Sequence, residues 1–187
     1  METKLIIRPA TESDAHFLAI NIYRALLIEN PTYEMIENLT SICRREDTLY
    51  SWRNAVIAEY RGEMAGILIS YDGARYKQMR DTTFPLFAQF TGEDWHDMDD
   101  EALPGEWYGD SLSVLPEFCG NGIGTELMRH LLVLRDKAHA PLATLAVDPE
   151  NPKAQRLYES LGFHYDGNIY LFGHNYLRMV CPSDLNP

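Results

Sequence analysis

The chain has no window apolar enough to cross a bilayer, for which a helix needs roughly 20 consecutive apolar residues. Its first seven residues, from Met1 to Ile7, lack both the basic region and the apolar run of a signal peptide. A cytoplasmic location is therefore expected, with no membrane partner. Cysteine is scarce: Cys43, Cys119 and Cys181 are an odd three with no C-x-x-C pair, which predicts neither a disulfide framework nor a zinc site. The 6 histidines show no ligand spacing either, so no metal is expected. Basic side chains are few, 16 Lys and Arg against 28 Asp and Glu, for a net charge of −12. Proteins that bind DNA or RNA usually display a basic patch to neutralise phosphates, so no nucleic-acid partner is expected. A cationic ligand suits the charge better, although acidity also serves solubility. The G-x-G-x-x-G of a dinucleotide fold, the G-x-x-x-x-G-K-[ST] of a P-loop and the G-x-S-x-G elbow of a hydrolase are missing too. Internal repeats and low-complexity stretches are absent.

What is present is enough apolar sequence, 45% of 187 residues, for one substantial core, and a single domain over residues 1–187 is expected. The most informative stretch, residues 112–132, runs from an apolar strand through a glycine-rich turn into a helix. Gly120, Gly122 and Gly124 let the backbone turn sharply and approach a ligand closely. Their N–H groups, with those of Ile123 and Thr125, stand free at a helix start, where partial positive charge favours a phosphate or pyrophosphate. A tight strand-to-helix connection is the plainer reading of the same glycines. Downstream, residues 142–147 read as a strand, Asn151 as an N-cap, Pro152 as the first residue of a short helix and Gly162 as its stop. Strand, turn, helix and strand make a crossover unit, which pairs residues 112–114 with 142–147 as parallel neighbours.

Earlier segments read as a strand over residues 4–8 and a helix capped by Thr11 that continues to about residue 29, with Phe17, Ile20, Ile22, Leu26 and Leu27 as its apolar stripe. Pro31 breaks it, a second helix covers residues 32–45, and residues 55–60 and 64–71 form a hairpin around Arg61 and Gly62. Residues 163–172 and 174–180 close the chain as two strands around Gly173. The sheet is mixed, antiparallel early and parallel at the crossover. Residues 72–105 form an insertion longer than an ordinary connection, with a short helix expected near residues 82–90. Its acidic run, six Asp or Glu in residues 93–101 around Trp95, is either a recognition surface for an ammonium group or a solvated acidic loop.

The two glycine-bearing segments together resemble the GNAT N-acetyltransferase superfamily. The family's phosphate signature is Arg or Gln, two residues, Gly, one residue, then Gly or Ala, after a strand ending Leu-x-Val-x-Pro-Glu. Leu112, Val114, Pro116, Glu117, Gly122 and Gly124 match it. A second signature, Asn-x-x-Ala-x-x-Leu-Tyr-x-x-x-Gly-Phe, is met by Asn151, Ala154, Leu157, Tyr158, Gly162 and Phe163. Weaker echoes lie in residues 7–14 and 62–66. Two positions depart: Cys119 stands where Arg or Gln is usual, and Asn121 where Lys is common. Lys153 and Arg156 are then the nearest candidates for pairing with cofactor phosphates, unless both are simply a solvated helix face.

The resemblance implies an α/β fold with an α+β-like mixed sheet of six to seven strands and about four flanking helices. It also implies acetyl-CoA as co-substrate, a primary amine as acceptor, and a homodimer as a common state among relatives. Main-chain donors of residues 119–125 would hold the pyrophosphate, Leu112 and Val114 would pair with the pantetheine arm where the parallel strands splay, and Asn151 would contact the cofactor or only cap its own helix. An ammonium is not nucleophilic, and a departing thiolate benefits from a proton donor. Tyr158 occupies the family's donor position; its plainer reading is packing, since Ala154, Leu157, Tyr158 and Leu161 form one apolar helix face. Glu106, Tyr108 and Asp110 alternate onto one face of the strand leading to Leu112, with Asp110 the first choice of base, Glu106 the second and water alone a third. A thioester on Cys119 is disfavoured, because the loop aims it at the pyrophosphate and no His pairs with it. The acidic insertion leans toward a small cationic amine; a peptide or protein amine is the alternative, and a non-catalytic acyl-CoA-binding module is the rival from another class.

Overall fold

In a computed structural model, residues 5–92, 95 and 97–183 are described. Lys4 of the expected first strand, and Glu93, Asp94 and His96 of the acidic run, lie outside the described residues. Seven strands form one sheet: β1 (Leu5–Pro9), β2 (Ala55–Tyr60), β3 (Glu63–Asp72), β4 (Glu106–Val114), β5 (Leu142–Val147), β6 (His164–Leu171) and β7 (His174–Pro182), in the spatial order β1-β2-β3-β4-β5-β7-β6. Only β4 and β5 pair in parallel; the other pairs are antiparallel. Five α-helices cover the two faces of the sheet: α1 (Ala15–Ala25), α2 (Tyr33–Cys43), α3 (Tyr76–Thr91), α4 (Ile123–Lys137) and α5 (Pro152–Ser160).

The alternation of the strands divides the core in two. Ile57, Ile67, Ile69 and Tyr71 turn to α1, α2 and α3, packing on Leu18, Ile22, Leu39 and Met79. Val56, Ala58, Ala65 and Leu68 turn the other way, to Ile123, Leu127 and Leu131 of α4 and Tyr158 of α5. Helix starts follow the expected chemistry: Thr32 Oγ1 accepts from Met35 N at 3.2 Å, and Asn151 Oδ1 accepts from Ala154 N at 3.1 Å ahead of Pro152.

Three expectations shift. Helix α1 stops at Ala25 rather than near residue 29, because Leu27 takes a left-handed φ of 56°. Helix α3 is a full 16 residues rather than a short turn near residues 82–90. Its polar residues hide a buried stripe of Tyr76, Met79, Thr83 and Phe87. The parallel pairing lies earlier on β4 than expected: Glu106 to Gly109 pair with Leu142 to Leu145, and residues 112–114 pair only with β3. The cause is a β-bulge at Asp110, which has no partner on β3, since Ile69 pairs with Ser111 and Ser70 with Gly109. The bulge bends β4 away from β5 and reverses its facing. Glu106, Tyr108 and Asp110 therefore do not share a face with Leu112 and Val114: Tyr108 belongs to the α1–α3 side, Leu112 and Val114 to the α4 side.

Candidate active site

Past Gly109 and Leu145 the two parallel strands part, opening a cleft through the sheet that joins its two faces. On the α4 side lies a cavity of about 390 Å³ walled by Leu112, Val114, the turn before α4, and Asn151, Lys153, Ala154 and Leu157 of α5 and its cap. Gly120 and Gly122 have φ of 84° and 76°, and a Cβ added to either would meet nothing within 4 Å. Both glycines are required by backbone conformation, which L side chains rarely adopt, and the space above them is open. Cys119, Gly120, Gly122, Ile123, Gly124 and Thr125 all line this cavity. Asn121 does not: its carboxamide is spent inside the turn, accepting from Tyr60 Oη at 3.1 Å and donating to Phe118 O at 3.0 Å. Cys119 is exposed, with Sγ 3.6 Å from Leu115 O. Arg156 is absent from the cavity wall, whereas Lys153 is on it.

A second cavity of about 390 Å³ shares Leu112, Asn151 and Ala154 with the first and continues to the α1–α3 side, reaching Tyr50, Glu101, Tyr108 and Asp110. Tyr158 sits on its wall, 9% exposed, its ring packed 6.1 Å from that of Phe163. Among the described residues its hydroxyl makes no hydrogen bond, although buried tyrosine hydroxyls usually find a partner. Burial pushes the phenol up to about 12, so it stays protonated and able to donate.

The floor is an acid pair in a tyrosine cage. Asp110 Oδ2 accepts from Tyr71 Oη at 2.7 Å and Oδ1 from Ser111 Oγ at 2.8 Å. Glu101 Oε2 accepts from Tyr108 Oη at 3.1 Å, and the buried Tyr76 hydroxyl stands beside it without a hydrogen bond of good geometry. Tyr71 lies between Tyr76 and Tyr108, with ring centroids 6.5 Å and 5.7 Å away. Burial raises Glu101, with Asp110 adding like-charge repulsion, and burial raises Asp110 as well. No cationic side chain pairs with either carboxyl among the described residues. Glu101 came from the acidic insertion and went unassigned in the sequence, where nothing separates it from its acidic neighbours except the buried Ala102 that follows it.

Glu106 has a different position. Its carboxylate takes Arg178 at 2.7 Å, Thr144 Oγ1 at 3.1 Å and the Leu103 N–H at 3.1 Å, and it lines neither cavity. It ties β4 to β5, β7 and the end of the insertion. Trp95 is likewise committed to packing, edge-on to Phe84 and Phe172 with centroids 5.7 Å and 5.2 Å away. Of the remaining acids in the run, Asp100 pairs with Arg80 and Lys77, and Asp99 Oδ2 accepts from Tyr170 N. Among the described residues no group of three or more His, Cys, Asp or Glu is arranged to hold a metal ion, and no helix is long and apolar enough to cross a membrane.

The acetyltransferase (GNAT) family matches residues 21–163 of the chain. Among solved structures, one described as an acetyltransferase is 28% identical with a TM-score of 0.76, covering 95% of this chain and 98% of that one. An N-acetyltransferase from Staphylococcus aureus Mu50 is 22% identical with a TM-score of 0.75, covering 94% and 99%. An aminoglycoside acetyltransferase in complex with coenzyme A is 22% identical with a TM-score of 0.64, covering 96% and 95%. With the glycine turn, the splayed parallel strands and the tyrosine of α5 on one cleft, and a family match across most of its length, the chain belongs to the GNAT family and is an N-acetyltransferase.

Proposed function

We propose that the protein transfers an acetyl group from acetyl-CoA directly to the primary amine of a small cationic molecule. The observation that carries this reading is the buried, cation-free carboxyl pair of Glu101 and Asp110, on the same cavity as the unpartnered hydroxyl of Tyr158. An ammonium entering that cavity supplies the counter-charge the pair lacks.

Acetyl-CoA would supply an activated thioester, and the residues present fit it. The N–H groups of the turn and the first residues of α4 offer donors to a pyrophosphate at the positive end of a 15-residue helix. Lys153 on the same wall offers the cation that Cys119 does not. Strand β4 beyond its bulge has no partner on the β5 side, so main-chain groups of residues 110–114 are available to an amide-bearing arm. Tyr158 is the proton donor to the departing sulfur, and Asp110, the less buried of the two carboxyls on the cavity, is the base that takes the amine proton directly or through water. Glu101 is the positioning residue beside Asp110, its carboxyl pushed up to about 8 by burial and by the Asp110 charge. Glu106 supports the strand junction.

The test is thiol release from acetyl-CoA across a panel of amines. Amine-dependent CoA release is expected, with Tyr158→Phe lowering kcat by on the order of 100-fold. Release from peptides but not from small amines would transfer the acceptor to a peptide amine. Tight acetyl-CoA binding with no amine-dependent thiol would leave an acyl-CoA-binding module.

A further inference from the structure

Next to the acid-floored cavity lies a third, of about 210 Å³, enclosed by Tyr23, Met35, Phe84, Phe87 and Trp95. It adjoins the acid cavity, with which it shares five wall residues, Leu26, Tyr50, Phe172, His174 and Tyr176. An apolar space of about 150 Å³ is enough to take a benzene-sized ligand. The walls are held rigid: Tyr50 and Trp95 each pack within 5.6 Å of Phe87, and Tyr23 Oη is spent on Met35 O. Among the described residues no Asp or Glu lines this chamber. The approach to it is apolar as well, since Leu26, Leu27 and Ile28, released from α1 by the left-handed turn at Leu27, are 38%, 65% and 39% exposed. Of the nearby acids, Asp99 accepts from Tyr170 N and Asp100 pairs with Arg80, while Asp148, which accepts from Glu150 N, lines the acid cavity and not this chamber.

Building on the acetyl-CoA reading above, we infer that the acceptor is a primary amine that carries a ring-sized apolar group. The ammonium goes to Glu101 and Asp110 and the ring to the aromatic chamber. A polyamine or an aminoglycoside would have to bury a second charge or a set of hydroxyls against Phe84, Phe87 and Trp95, in a chamber with no carboxylate among the described residues, which is unfavourable. A free arylalkylamine and a peptide N-terminus beginning with Phe share the recognised chemistry, and the test separates them.

The experiment compares kcat/KM for 2-phenylethylamine, ethylamine, spermidine, kanamycin and a phenylalanyl tripeptide, with acetyl-CoA binding measured by calorimetry in parallel. The expected result is 2-phenylethylamine or the peptide over spermidine and kanamycin by about 100-fold, the range that a well-fitted apolar pocket provides. Whichever of the two is used identifies the source of the amine. In Ile28→Trp, whose indole would enter the chamber, the ratio of kcat/KM for the ring-bearing amine to that for ethylamine falls at least tenfold. Acetyl-CoA binding reports that this variant is folded; should it not be, Ile28→Ala is expected to raise the relative use of tryptamine. Preference for spermidine or kanamycin, or ratios that no Ile28 substitution changes, would overturn the inference while leaving the acetyltransfer intact. Absence of acetyl-CoA binding in the wild type would overturn the acetyl-CoA reading itself, and this inference with it.

Discussion

Glu101 is pushed up to about 8, first by burial and then by Asp110. The native protein therefore keeps a proton that an unfolded chain gives up near its ordinary value of 4.5. Such a group contributes stability that is complete at pH below 4.5 and is lost as pH rises through 8. Glu101→Gln removes that loss: thermal melts at pH 6 and pH 9 are expected to differ less in the variant than in the wild type. Activity runs the opposite way, because a protonated pair cannot accept the amine proton. In the wild type kcat/KM is expected to rise with pH toward 8 and beyond, the apparent value belonging to the pair rather than to one residue. In Glu101→Gln the ionisation near 8 is removed, so this limb is expected to move to lower pH, to the ionisation of Asp110 alone. Asp110→Asn is expected to lower kcat/KM by about 10² to 10⁴, with the pH profile and acetyl-CoA binding separating a lost base from a lost fold.

At the scale of elements, the turn into α4 and the bulge of β4 divide the labour. Gly122 is the N-cap of α4 with φ of 76°, so Gly122→Ala forces a side chain into the left-handed region, at a cost of roughly 1–2 kcal/mol. Gly124 is one residue inside the helix, where an added Cβ meets Leu157 Cδ2 at 3.6 Å and Val114 Cγ2 at 3.9 Å, ordinary contacts. Gly124→Ala is therefore expected to raise helix stability by about 0.5–1 kcal/mol, leaving Tm unchanged or higher. Chemical denaturation of the two variants checks both signs, and the KM for acetyl-CoA is expected to rise in Gly122→Ala. The bulge at Asp110 is the element that separates β4 from β5 and delivers this carboxyl to the α1–α3 side while Leu112 and Val114 face α4. Strict alternation along residues 106–114 cannot reveal it, since an extra residue in a strand reverses every later facing.

Across the whole molecule, the edge of the sheet is tied to the first helix by one guanidinium. Arg8 donates to Asp14 at 2.8 Å and 3.1 Å and to Glu59 at 2.6 Å, and Asp14 also accepts from Thr11 N at 2.7 Å. Arg8, ahead of the opposing cost of burial, holds the Asp14 carboxyl down at about 2, below its ordinary 3.8. The stability this contributes is present above pH 3.8 and is lost as pH falls through 2. Arg8→Ala is expected to cost about 1–3 kcal/mol at pH 6, leaving a largely buried carboxylate short of a partner, and the gap in Tm between variant and wild type closes toward pH 2. Much of this architecture was legible in advance. Asn151 with Pro152, the glycines at 120 and 122, and the alternating strands are local instructions, in which side-chain chemistry and backbone freedom act within a few residues. They determined the crossover unit, the glycine turn before α4 and the mixed sheet. Which carboxyls line the cavity without a cation was decided only by tertiary structure. Glu106 and Glu101 are equivalent as letters, yet Arg178, 72 residues away, neutralises the first, while burial among Tyr50, Tyr76 and Tyr108 leaves the second without a cation and holding its proton. Burial and counter-charge are properties of elements brought together across the sheet, and no local pattern of residues encodes them.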